Sequence, residues 1–149
     1  MGLKVSPLRI YLDADGLLDL TTPRSLADDE NEQKISDALK GGRLIFVTSE
    51  IAVLETLVHA RRNEYERRQS SIRRFLTPST LIETRPVNLE LIEDALTLRV
   101  QFGLKSPDAI HVATGISSNC SAFLTKDEKW GKLGLSILTA NDLVALLKD

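Results

Sequence analysis

At 149 residues, with 42% apolar and 27% charged side chains, the chain has the size and composition of one ordinary folded domain. A net charge of −2 excludes a uniformly basic nucleic-acid binder, and the single cysteine, Cys120, excludes both an internal disulfide framework and a cysteine-rich zinc site. No apolar run approaches the roughly 20 residues of a membrane span, and the apolar stretch before Asp13 is too short for a secretory signal, so one cytoplasmic domain over residues 1–149 is expected.

In chain order, residues 8–12 (LRIYL) are apolar and β-prone and predict a strand that runs into a turn at Asp13-Ala14-Asp15-Gly16. Residues 28–39 carry Ile35, Ala38 and Leu39 at helical spacing and stop at Gly41-Gly42. Residues 44–47 (LIFV) predict a second strand, after which Thr48 or Ser49 caps a helix with the apolar positions Ile51, Leu54, Leu57 and Val58. That segment becomes strongly charged through Arg74, as one long helix or two. Residues 80–83 (TLIE) predict a third strand, followed by a helix capped by Asn88 and carrying Leu89, Ile92, Leu96 and Val100. Ser106-Pro107, a capping hydroxyl and then proline, opens a helix running through Ile110 and Ala113 toward Gly115. Residues 122–125 and 135–138 predict two more strands, and residues 141–147 a short closing helix. Apolar strands alternating with helices imply an α/β three-layer sandwich, its central, mostly parallel sheet of about five strands flanked by helices. Sheets of this kind bind ligands beyond the carboxyl ends of their strands.

Three aspartates fall at that edge: Asp13 after the first strand, Asp108 in the first turn of its helix, and Asp127 after the fourth strand. Glu55, one turn beyond Ile51, borders an apolar stripe and is expected to be a partly buried fourth acid. Clustered carboxylates repel one another and lose hydration, so they are tolerated chiefly around a hard cation such as Mg2+ or Mn2+. Asp13, Asp108 and Asp127 are the expected ligands, and an ion held there can activate water and offset charge on a phosphodiester. Each acid alone also has a plain structural reading, as turn chemistry after a strand or as a partner for a helix dipole. Only the set points to chemistry.

The motifs IYLDADGLLDL, TSEIAVLETL, LKSPDAIHVATG and AFLTKDEKW, in that order, resemble those of the PIN-domain family. These are small nucleases that include the VapC-like toxins of toxin–antitoxin pairs. The likeness runs from Ile10 to about Leu138. It implies a PIN-like fold and four catalytic acids, Asp13, Glu55 (not Glu50), Asp108 and Asp127, with the Thr125 hydroxyl beside Asp127 at the substrate. It also implies RNA cleavage with Mg2+ or Mn2+, pairing as a homodimer, and silencing by an antitoxin peptide that occupies the groove. The pattern departs at Ala14 and Asp15, where the family usually has a small or hydroxyl residue and then Ser, Thr or Asn; Asp15 is therefore either an extra ligand or a turn residue.

Arg61, Arg62, Arg67, Arg68, Arg73 and Arg74 are paired at regular spacing between Glu64, Tyr65 and Glu66, as an RNA-backbone groove requires, although such segments also serve as solvated faces. His111, three residues beyond Asp108, can donate to a carboxylate or to substrate, whereas His59 reads as structural. Lys105, Lys126 and Lys129 suit either phosphate or solvent, and Trp130 suits packing. A rival reading takes Asp13-Ala14-Asp15-Gly16 and Thr48 as a resemblance to haloacid-dehalogenase phosphatases, with Asp13 as nucleophile, but the tail lacks that family's paired aspartates. A second rival is a non-catalytic module on the same fold that binds RNA or protein.

Overall fold

A computed structural model describes residues 6–21, 26–63, 66–76 and 82–147. Its strands are β1 (Leu8–Leu12), β2 (Leu44–Ser49), β3 (Ile82–Arg85), β4 (Ala122–Leu124) and β5 (Ile137–Leu138). The helices are α1 (Ala14–Thr21), α2 (Leu26–Lys40), α3 (Glu50–Arg62), α4 (Glu66–Phe75), α5 (Leu89–Phe102), α6 (Ser106–Ser117) and α7 (Ala140–Leu146), with a 3₁₀ segment at Glu128–Leu133. The five strands form one sheet in the order β3-β2-β1-β4-β5, and every pair is parallel. The expected three-layer α/β architecture is therefore present. The chain winds outward from β1 to β3 and then returns to the other side of β1, so strand order reverses between β1 and β4. A crevice opens at such a reversal.

Alternation along the strands divides the core. Ile10, Leu12, Phe46 and Leu124 pack with Leu17 of α1, Ile35 and Ala38 of α2, and Leu143 and Val144 of α7. Tyr11, Val47 and Phe123 face the other way, toward Val112 of α6 and Trp130. Helix α5 then stacks outside α6 through Leu91 and Ala95 against Ala109 and Ala113. Gly115 sets how closely α6 approaches the sheet, because a Cβ there would stand 2.3 Å from the Phe123 ring.

Several sequence expectations need correction. The turn expected after β1 is the start of α1: Asp13 caps it, its carbonyl accepting from Leu17 N–H (3.0 Å) and its Oδ1 from Gly16 N–H (2.9 Å). A carboxylate three residues before Gly16, followed by Leu17, Leu18 and Leu20, was the available signal. Ser49 caps α3, while Thr48 is buried within β2 and donates to the Leu12 carbonyl at 2.6 Å. Lys105 occupies the cap position of α6 without a side-chain bond; Ser106 instead accepts from Arg99 at 2.9 Å. The charged stretch forms two helices among the described residues. Of the expected third strand, residues 80 and 81 lie outside the described residues, and β3 runs two residues further than expected.

Most of the apolar positions named on α3 and α5 face outward. Leu54 is 62% exposed, Leu89 83% and Val100 80%, with Val58, Ile92 and Leu96 exposed as well. The buried faces are Ala52, Thr56 and Ala60 on α3 and Leu91 and Ala95 on α5. Close helix packing selects small residues for the contact and leaves the larger ones outside it. No helix of the described residues is long and apolar enough to cross a membrane.

Candidate active site

The sheet register dictates the first contact. Leu12 pairs with Leu124, so the next polar residues on the two strands, Asp13 and Thr125, emerge side by side at the strand-order reversal. The Thr125 hydroxyl donates to Asp13 Oδ2 and accepts from the Asp127 N–H at 3.0 Å. Asp127 in turn caps the 3₁₀ segment, accepting from Lys129 N–H at 3.1 Å. Asp13 is 6% exposed, and both of its oxygens are engaged. Burial raises its pKa, outweighing the hydrogen bonds from Thr125 and Gly16 that favour the charged form, and exposed Asp15 pushes the same way as burial.

Helices bring in the remaining acids. Asp108 lies in the first turn of α6, half-buried, and its pKa is raised by burial and then by the neighbouring Asp127 carboxylate, with Glu55 adding a smaller push. His111 and Lys105 pull it back down. Glu55 of α3, its side chain 39% exposed, meets His111 Nε2 at 2.7 Å. The opposite ring nitrogen, Nδ1, lies 2.6 Å from the Tyr11 hydroxyl. Thus β1, β4, α3 and α6 converge on one acidic edge, and all four anticipated acids reach it.

Among the described residues, no three His, Cys, Asp or Glu side chains stand close enough to hold an ion between them. The reason is local: Asp13 turns toward its helix cap and Thr125, and Asp127 toward its own cap. The donors nevertheless suit a hard divalent ion. All are oxygens, Asp108 carries like-charge repulsion that His111 and Lys105 offset only in part, and Mg2+ commonly takes one or two carboxylates and completes its shell with water.

The arginines stand apart from the acids. Arg61 and Arg62 are exposed in the last turn of α3, about 9 Å along the helix axis from Glu55. Arg67, Arg73 and Arg74 are exposed on α4, while the side chain of Arg68, together with Glu64 and Tyr65, lies outside the described residues. Lys126 pairs with Asp19 at 3.2 Å on the surface. Trp130 is buried against Phe123 and His111, as its packing role requires. The phosphatase alternative meets an Asp13 whose burial and two engaged oxygens leave it poorly placed to attack a phosphorus atom. Sequence reasoning missed Tyr11, whose signal was a hydroxyl-bearing aromatic two residues before Asp13, on the same side of the strand.

Comparisons with known proteins agree with this geometry. None of the curated proteins matches the sequence significantly. Solved structures with similar folds include a toxin–antitoxin complex from Klebsiella pneumoniae, at 20% identity over 88% of this chain and 97% of that one, with a TM-score of 0.63. VapBC2 from Rickettsia felis, bound to a DNA fragment from their promoter, matches at 14% identity over 89% and 98% with a TM-score of 0.68. VapC20 of Mycobacterium tuberculosis, described as a sarcin–ricin loop cleaving toxin, matches at 18% identity over 85% and 95% with a TM-score of 0.62. At these identities the likeness establishes the fold. The PIN domain profile matches residues 10–135, nearly the whole length over which the acidic edge is assembled, and the chain belongs to the PIN domain family.

Proposed function

We propose that this protein is a divalent-metal-dependent endoribonuclease acting as the toxin of a type II toxin–antitoxin pair. The observation that carries the reading is the convergence of Asp13, Glu55, Asp108 and Asp127 at the strand-order reversal, from four separate elements. The VapC20 neighbour, described as a sarcin–ricin loop cleaving toxin, supports the substrate class. Asp13, Asp108 and Asp127 would hold Mg2+ or Mn2+, which when bound offsets charge on the scissile phosphate and makes water a better nucleophile. Glu55 orients that water and accepts its proton, with one carboxylate oxygen held by His111. Thr125 holds Asp13 in place beside the substrate. The Arg61, Arg62, Arg67 and Arg68 segment tracks the RNA backbone beyond the site.

Two partners follow from the same reading. An antitoxin peptide occupies the groove over the acids, in line with the toxin–antitoxin complexes among the structural neighbours. A second copy covers the exposed row Leu89, Ile92, Leu96 and Val100 of α5. The helix carries Glu90, Glu93 and Asp94 in its first half and Arg99 in its second, so two-fold antiparallel pairing sets opposite charges against each other. Light scattering should find a dimer that Leu96→Glu with Val100→Glu converts to a monomer.

Cleavage of a mixed panel of structured and single-stranded RNAs tests the activity. Purified protein should cut with Mg2+ or Mn2+, and both EDTA and Asp108→Asn should abolish cutting. Cleavage that survives Asp108→Asn refutes the assignment of the site. Folded protein that binds RNA or a partner without cutting turns the reading to a non-catalytic module.

A further inference from the structure

We propose that Tyr11 and His111 form a one-way hydrogen-bond chain that positions Glu55, the carboxylate fixing the tautomer of His111 and the Tyr11 hydroxyl satisfying the opposite ring nitrogen. The inference rests on the proposed nuclease reading for its catalytic consequence, but its geometry stands without it. Tyr11 and His111 are both buried, so each polar atom of the pair needs a partner. The Tyr11 hydroxyl lies 2.6 Å from His111 Nδ1, and His111 Nε2 lies 2.7 Å from Glu55 Oε1.

Proton counting sets the direction. An ionised carboxylate only accepts, so Nε2 carries the hydrogen and donates to Glu55. A neutral imidazole then has a lone pair at Nδ1, so the Tyr11 hydroxyl must donate to it. Every link points toward Glu55.

Packing keeps the ring in that orientation. Tyr11 meets the imidazole edge-on, with centroids 5.8 Å apart, and Trp130 lies across it at 6.0 Å. Gly115, one turn beyond His111 on the same helix, lets α6 sit close enough to β1 for the Tyr11 contact. Glu55 is the one exposed member, on a helix whose other contacts with α6 are few, and without His111 its flexible side chain would sample several rotamers. The chain therefore holds one carboxylate oxygen of Glu55, Oε1, in place. Tyr11 and His111 are positioning residues, acting through Glu55.

The ring itself reports the result. Imidazole nitrogen–proton correlation spectra of the metal-free full chain should show His111 protonated at Nε2 alone. Glu55→Gln, at the half-exposed end, should give a mixture of tautomers, because an amide both donates and accepts. Tyr11→Phe, an isosteric change, should leave the hydrogen on Nε2 while removing the donor to Nδ1. A wild-type ring protonated at Nδ1, or at both nitrogens, overturns the proposal. In cleavage assays Tyr11→Phe should lower kcat about 10- to 100-fold with KM nearly unchanged, and His111→Gln, which keeps a donor for Glu55, should retain more activity than His111→Leu. Equal losses in those two His111 variants, or a loss confined to KM, would also overturn it. Absence of any RNA cleavage by wild type refutes the nuclease reading alone, since the spectra still decide the chain.

Discussion

Helix α6 links two charged clusters that solve the problem of half-buried charge in opposite ways. At its N-terminal end, Asp108 lies near Asp127 and Glu55, and its pKa is raised by burial and by like charge. At its C-terminal end, Arg9 Nε donates to the Ser118 carbonyl at 2.9 Å, and its guanidinium grips both Glu83 oxygens at 3.1 and 2.7 Å. There the arginine holds the Glu83 carboxyl below the ordinary carboxylate range, with Arg85 assisting. The Arg9 cluster is complete within the chain and ties β1, β3 and α6 together. At the acidic edge, His111 and Lys105 offset the repulsion only in part, and the Asp108 pKa stays raised. Strain of this kind in a crevice marks a site, whereas a satisfied pair marks a joint.

Variants on the two sides should separate function from stability. The largest effect is expected of Asp108→Asn, which should reduce RNA cleavage at least about 100-fold in single-turnover assays without weakening the fold. Arg9→Ala should leave that rate unchanged; a comparable loss would mean that the two ends are not independent. Gly115→Ala disturbs the helix that joins them, since its methyl group meets the buried Phe123 ring, and urea denaturation should register about 1–3 kcal/mol of lost stability. Arg9→Ala itself should lose about 1 kcal/mol in the same measurement, because its partner Glu83 is partly solvated.

The smallest effect is in pH dependence, where the two ends have opposite signs. Asp13 and Asp108 have folded pKa values above their ordinary 3.8, so the folded state binds more protons, and lowering pH through that window stabilises the metal-free protein. Glu83 has a folded value below its ordinary 4.5; its contribution is present above 4.5 and is lost as pH falls through the depressed value. Denaturation curves across mildly acidic pH should show Asp13→Asn removing part of the first trend and Arg9→Ala removing the second. Asn keeps an oxygen to cap α1 but loses the second oxygen that accepts from Thr125, so the change in pH slope, and not the absolute stability, reports the charge.

The sheet was legible because buried parallel strands are short apolar runs, and LRIYL, LIFV and AFLT each hold a strand. Helix α1 was not, because Asp13-Ala14-Asp15-Gly16 carries turn composition, and only the bonds from Gly16 and Leu17 distinguish a helix cap from a turn. The buried faces of α3 and α5 were not legible for a different reason. Periodicity marks where large apolar residues line up, but the close approach of α6 to α5 is made through Ala95, Ala109 and Ala113. The row left over on α5 is where a second copy is proposed. In the site, the positions of the acids could be read from where strands end and helices begin, but Tyr11 looked like one more apolar strand residue.

By itself, then, the sequence determined the strand–helix alternation, the apolar strands and four acids at their ends, since these depend on local composition and spacing. Tertiary structure alone decided that Asp13 is bound by Thr125, that Asp108 bears the repulsion of Asp127, and that Tyr11 and Glu55 meet across His111. Those contacts join residues as much as 112 positions apart, and they depend on parallel register and on how closely α6 settles on the sheet. Local preferences do not encode distances between elements; packing does.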